Sequence, residues 1–145
     1  MKKLFLLLIF IPLFSMSQKQ GSPENQINVA FLQAFADAFN AHDADKIVSM
    51  MTSDCIFQAS AGPDVDGQKF VGNENVKKAF QQVFNTFADA RWSNAKHFIA
   101  GDRGFSEWVF SGTKTDGTRV EVTGCDLFTF RDGKIAVKNS YRKNR

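Results

Sequence analysis

Apolar residues first recur at a spacing of three and four. Ile27, Phe31, Ala34, Phe35, Ala38 and Phe39 would form one stripe along a helix. Ser22, Pro23 and Glu24 read as its start: a capping hydroxyl, a proline in the first turn and an acid on the positive dipole end. The pattern carries that helix to about residue 41. Asp43 caps a second, short helix whose buried side is Ile47, Val48, Met50 and Met51. Residues 55–59 read as a short strand and 60–72 as a loop rich in Gly, Asp and Pro. Asn73 then caps a third helix, with Val76, Ala79, Phe80, Val83, Phe84 and Phe87 on one face.

From residue 91 the period changes from helical to two. Strands are predicted over 92–99, 105–112, 119–130 and 134–141. Gly101-Asp102-Arg103-Gly104, Asp116-Gly117 and Arg131-Asp132-Gly133 supply the turns between them. Three helices followed by a meander give an α+β fold with helices on one face of a curved antiparallel sheet. In the long third strand of this meander, Val120, Val122, Gly124, Asp126, Phe128 and Phe130 share the inward face. Asp126 is the one charge in that row. With Phe128, Phe130 and Val122 about it, its carboxyl is expected to resist ionisation, which raises its pKa. It would then serve as an acid or as a hydrogen-bond donor to a ligand oxygen; otherwise it bonds nearby amides or an aromatic N–H or O–H.

The N-terminus changes the charge balance. Met1-Lys2-Lys3 is a basic start, residues 4–14 are apolar almost throughout, and Ser15 and Ser17 flank a cut before Gln18. These are the three parts of a secretory signal peptide, and the apolar run is too short to span a bilayer, which takes about 20 residues. The expected organisation is a signal peptide over 1–17, a mobile lead over 18–24, a single domain over 25–142 and a basic tail over 143–145. Localisation is accordingly expected to be periplasmic or extracellular, with no membrane attachment after cleavage. Loss of Lys2 and Lys3 leaves 16 basic against 15 acidic residues, so the mature chain is close to neutral. The remaining basic cluster at Arg142, Lys143 and Arg145 reads as a solvated end and not as a nucleic-acid footprint.

Composition adds aromatic bulk. There are 16 Phe against one Tyr and two Trp, enough to fill a core and line a cavity. At 43% hydrophobic residues and with no long charge block, a folded domain is expected and not a disordered chain. Cys55 and Cys125 fall on opposite strand faces and are expected to be free, mostly buried thiols. No metal-ligand spacing, calcium loop, phosphate cradle or serine nucleophile elbow is present, and no cofactor is expected.

The run from Phe35 through Asn40, Ala41 and Asp43, then residues 45–51 and Asp54 to Phe57, resembles the opening of nuclear transport factor 2-like proteins. Gly124 to Phe130, Asp132-Gly133-Lys134-Ile135 and Tyr141 are similar to the closing hairpin of the SnoaL-like branch. The resemblance covers about residues 26–142. It implies a cone-shaped curved antiparallel sheet wrapped around three N-terminal helices, a pocket at the wide end, and frequent dimers through the outer sheet face. It also implies mixed functions, from isomerases, cyclases and hydratases to binding modules, so fold alone does not assign one. Ketosteroid isomerase, a relative, uses a carboxylate base, a Tyr and a protonated Asp. By position these fall on Ala59, Phe35 and Asp126, and the first two cannot do that chemistry.

The candidate ligand contacts are therefore Phe35, Phe57, Ala59, Trp108, Phe110, Val122, Phe128 and Tyr141. Asp126 and His97 are the candidate catalytic pair, with His97 either facing Asp126 across the cone or partly exposed on its strand. His42 reads as solvated, and Tyr141 as either a ligand donor or a rim residue. Three functions stay open. The first is binding of a small, mostly apolar molecule. The second is isomerase, cyclase or hydratase chemistry with Asp126 as acid. The third is a dimerising partner-binding domain whose outer face, judged by Arg119, Glu121, Thr123 and Thr129, is rather polar.

Overall fold

The computed structural model describes residues 27–143. The signal peptide, the mobile lead, the Ser22 helix start and the end of the basic tail lie outside the described residues. Among the described residues no helix is long and apolar enough to cross a membrane.

Helix α1 spans Val29–Asn40 and is capped by Asn28, whose Oδ1 accepts the Phe31 amide at 2.9 Å. Ile27 and Asn28 are not helical, so the helix begins later than the apolar spacing suggests; the Asn28 side chain supplies the cap there. Asp43 does cap α2, Ala44–Ser49. Strand β1 covers Met51–Gln58, so Met51 is the first residue of a strand and not part of a helical face. A three-residue strand, β2 at Lys69–Val71, lies inside the segment read as loop. Helix α3 is Asn73–Thr86, with Gly72 at its N-cap. Asn73 does not cap it; its Oδ1 accepts from the Cys55 thiol at 3.2 Å instead. Both cysteines are free, Cys55 buried and Cys125 half-buried.

The meander is β3 (Arg91–Ala100), β4 (Arg103–Thr113), β5 (Arg119–Arg131) and β6 (Lys134–Arg142). The sheet order is β2-β1-β6-β5-β4-β3, and it is open at both edges. All its pairings are antiparallel except β1 with β6, which is parallel, so the wholly antiparallel sheet expected from the sequence needs that one amendment.

One core joins the layers. Leu32, Phe35 and Phe39 of α1 and Val76, Phe80 and Phe84 of α3 pack with Phe128, Phe130 and Ile135 of the sheet. The rings meet edge to face, Phe39 on Phe80 with centroids 4.8 Å apart and Phe35 on Phe128 at 5.8 Å. Two glycines keep the inner face of the sheet thin. A Cβ at Gly104 would overlap the Phe130 ring, and one at Gly124 would overlap the Trp108 indole and the Tyr141 carbonyl oxygen. Both rings therefore lie across bare backbone, and the sheet can approach α1 without filling the space between.

Candidate functional site

That space is a cavity of about 790 Å³, open to solvent on one side. Phe35 and Phe39 from α1, Phe57 from β1 and Phe80 from α3 form the helical side, and Trp108, Phe110, Val122 and Phe128 form the sheet side. Ala59 lines it just beyond the end of β1.

A polar row crosses the sheet wall. The register places His97 of β3 opposite Ser106 of β4, Ser106 opposite Asp126 of β5, and Asp126 opposite Ser140 of β6. Side chains in such a row share one face. Asp126 is 6% exposed, but its surroundings are not the purely apolar ones expected. Its Oδ1 accepts from Lys138 Nζ and from Ser140 Oγ, each at 2.6 Å, and its Oδ2 accepts from Trp108 Nε1 at 2.9 Å. Lys138 also donates to Ser140 Oγ at 2.6 Å and sits over the rings of Phe57 and Phe39, at 5.1 and 5.5 Å. Asp126 is thus one end of a buried ion pair with three donors on its oxygens, so both oxygens are engaged as acceptors. The ammonium, in turn, is held between two π faces.

Lys138 was missed in the sequence because a lysine in a strand reads as exposed. Parity was the available signal: Lys138, Ser140 and Arg142 alternate along β6, and Ser140 faces Asp126. The same register corrects Tyr141. It pairs with Cys125 on the outer face, is 51% exposed and does not line the cavity. Its hydroxyl accepts from Asn139 Nδ2 at 3.0 Å.

His97 does face the cavity, for a reason its strand pattern hides. Between Ser93 and Lys96 the β3 register slips by one residue against β4, with Asn94 at φ 54°. Such a bulge swaps the faces of the strand, and asparagine tolerates the left-handed conformation it needs. Trp92 points inward before the slip; Ala95 and His97 point inward after it, and Phe98 is left 57% exposed. His97 and Asp126 do not form a dyad, because every donor to Asp126 is another residue and His97 Nδ1 is 2.7 Å from Ser106 Oγ. Among the described residues His97 Nε2 is buried without a partner. His42 is not solvated either: its Nε2 bonds the Ala90 carbonyl at 2.9 Å and its ring stacks on Phe84.

Burial holds the His97 imidazole below the ordinary value of 6.5, with the Asp37 carboxylate on α1 opposing it. The unfolded chain therefore takes up this proton at a higher pH than the folded one. Stability is lost as pH falls from 6.5 through the folded value. The melting temperature should fall between about pH 7.5 and about pH 5.5, and fall less in His97→Phe. An equal fall in both proteins would remove His97 as the cause.

Among the described residues no three His, Cys, Asp or Glu side chains are grouped to hold a metal ion. The SnoaL-like domain family matches residues 32–138. No curated protein matches the sequence. Among solved structures, a provisionally named polyketide cyclase from Xanthomonas campestris pv. campestris is 21% identical, with TM-score 0.70 over 79% of this chain and 88% of that one. A hypothetical protein with a ketosteroid isomerase-like fold from Catenulispora acidiphila, in complex with trimethylamine, is 18% identical, with TM-score 0.70 over 79% and 86%. TerC, co-crystallised with polyporic acid, is 20% identical, with TM-score 0.66 over 79% and 90%. At these identities the likeness is one of fold.

Proposed function

The chain belongs to the SnoaL-like domain family, and we propose that its cavity binds a small, mostly apolar molecule. The observation that carries this reading is the hollow itself. Some 790 Å³ stays open among aromatic rings, within the usual range for small-ligand sites, and its buried polar side chains Ser106, Asp126, Lys138 and Ser140 lie together on the sheet wall. The row from His97 to Ser140 would fix the ligand's orientation, and the rings would supply the affinity. Solved relatives in complex with small molecules support the same use of the fold. Titration calorimetry with a two-ring probe such as 2-naphthamide tests it. Saturable one-to-one binding that is weakened at least about tenfold in Trp108→Ala is expected, because a buried aromatic contact of this size contributes more than 1.4 kcal/mol. Absence of binding to any two-ring probe would end the reading.

The enzymatic alternative loses its acid, since Asp126 is committed to Lys138. We further propose that the chain is exported through residues 1–17, on the sequence pattern described above. Self-association through the outer sheet face is a second proposal. That face is less polar than β5 alone suggested: Phe98 and Tyr141 are more than half exposed, with Leu127 at 37%.

A further inference from the structure

The charged residues that line the cavity are Lys69, Lys78, Asp126, Lys138 and Arg142. Two of the four cations are paired. Lys138 is paired with Asp126 on the cavity floor, and Lys69 with Asp66, 3.0 Å away and outside the cavity. Among the described residues Lys78 and Arg142 make no ion pair. Both are exposed while lining the cavity, which puts them at its opening. Every carboxylate of the lining is already paired, so the two free cations meet no opposing anion there. This excess stands out in a mature chain of 16 basic and 15 acidic residues.

The geometry connects the opening to the floor. Lys138, Ser140 and Arg142 alternate along β6, so their side chains share the inward face and rise from a buried ammonium to an exposed guanidinium. Two steps of two residues separate Lys138 from Arg142, about 13 Å along the strand. Trp108 stands at the Arg142 level, with its indole over Gly124, the residue paired with Arg142, and its Nε1 donating to Asp126 one step deeper. A ligand lying along this wall would rest its rings on Trp108 and Phe128 and bring its outer end to Arg142. Lys78 of α3 also lines the cavity and is exposed. A planar guanidinium matches a carboxylate with two parallel hydrogen bonds, and an opening flanked by low-dielectric walls strengthens the field of an unpaired cation.

We propose that the ligand is an amphipathic anion, with an apolar, ring-sized body inside the cavity and one anionic oxygen group, of which a carboxylate is the simplest, held at the opening by Arg142 and Lys78. This rests on the small-molecule reading above and adds the charge class of the ligand. It makes the neutral floor, where Lys138 and Asp126 satisfy each other, the place for the apolar end.

A matched pair of probes separates the two ideas: 2-naphthoate and its neutral isostere 2-naphthamide, titrated into the full chain near neutral pH. The naphthoate should bind about tenfold more tightly than the amide, as expected for charge-assisted hydrogen bonds at a partly exposed site. Its advantage should shrink as salt is raised from about 20 to about 300 mM. In the double variant Arg142→Gln/Lys78→Gln the two probes should bind alike, the naphthoate having lost its advantage. Lys114→Gln, in the turn between β4 and β5 and away from the cavity, should leave the advantage intact. Equal affinities in the unaltered chain, or an advantage that survives in the double variant, would overturn the anionic ligand and leave the small-molecule reading standing. Binding of neither probe would overturn both.

Discussion

Replacing Lys138 by Met is expected to lower the unfolding free energy by about 3–5 kcal/mol, the usual loss when one partner of a buried ion pair is removed. The side chains of Lys138 and Asp126 are both only 8% exposed, so solvent screens the pair little. Methionine can occupy the channel between Phe39 and Phe57, so lost packing contributes little to the loss. What remains is a buried carboxylate held by Ser140 and Trp108 alone. The double variant Lys138→Met/Asp126→Asn should recover a large part of the loss, because it removes the stranded charge along with its partner. Urea unfolding of the three proteins measures both effects. A single variant that costs under about 1 kcal/mol, the range of solvated pairs, would mean the pair is not dry.

Phe80→Ala should cost a similar amount, about 3–5 kcal/mol. Phe80 is 1% exposed, and its ring centroid lies 4.8 Å from both Phe39 and Phe57. Those two rings carry the ammonium of Lys138 between them. Removal of Phe80 therefore opens a gap in the helical wall of the cavity and loosens the seat of the ion pair. Stability measured by urea unfolding should fall, and two-ring probes should bind less tightly because the wall they rest on is no longer fixed. A loss below about 1 kcal/mol would show that the helical layer collapses into the gap, contrary to a packed wall.

The helical stripes were legible because one period runs through them without interruption. Phe35 and Phe39, or Val76, Phe80 and Phe84, are buried where spacing alone puts them. The inward row of β5 was legible for the same reason: it pairs with β4 without a slip, so Asp126 could be placed among Phe128 and Phe130 by counting in twos. His97 could not be placed by counting. The bulge at Asn94 inserts one residue, and every residue after it changes face. Tyr141 was misplaced because register, and not residue type, decides which side of β6 it occupies. Lys138 escaped because its counter-charge comes from a neighbouring strand, and no local pattern announces such a pair. Strand β2 is three residues long within a segment of turn formers, and only its pairing with β1 defines it.

A bound ligand is expected to occupy the hollow between α1 and the sheet. Intermolecular nuclear Overhauser effects with bound 2-naphthoate locate it directly. Cross-peaks are predicted from the probe to the ring protons of Trp108, Phe128 and Phe57, with none to Tyr141. Cross-peaks confined to Tyr141 and Phe98 would put the ligand on the outer face and contradict binding in the hollow.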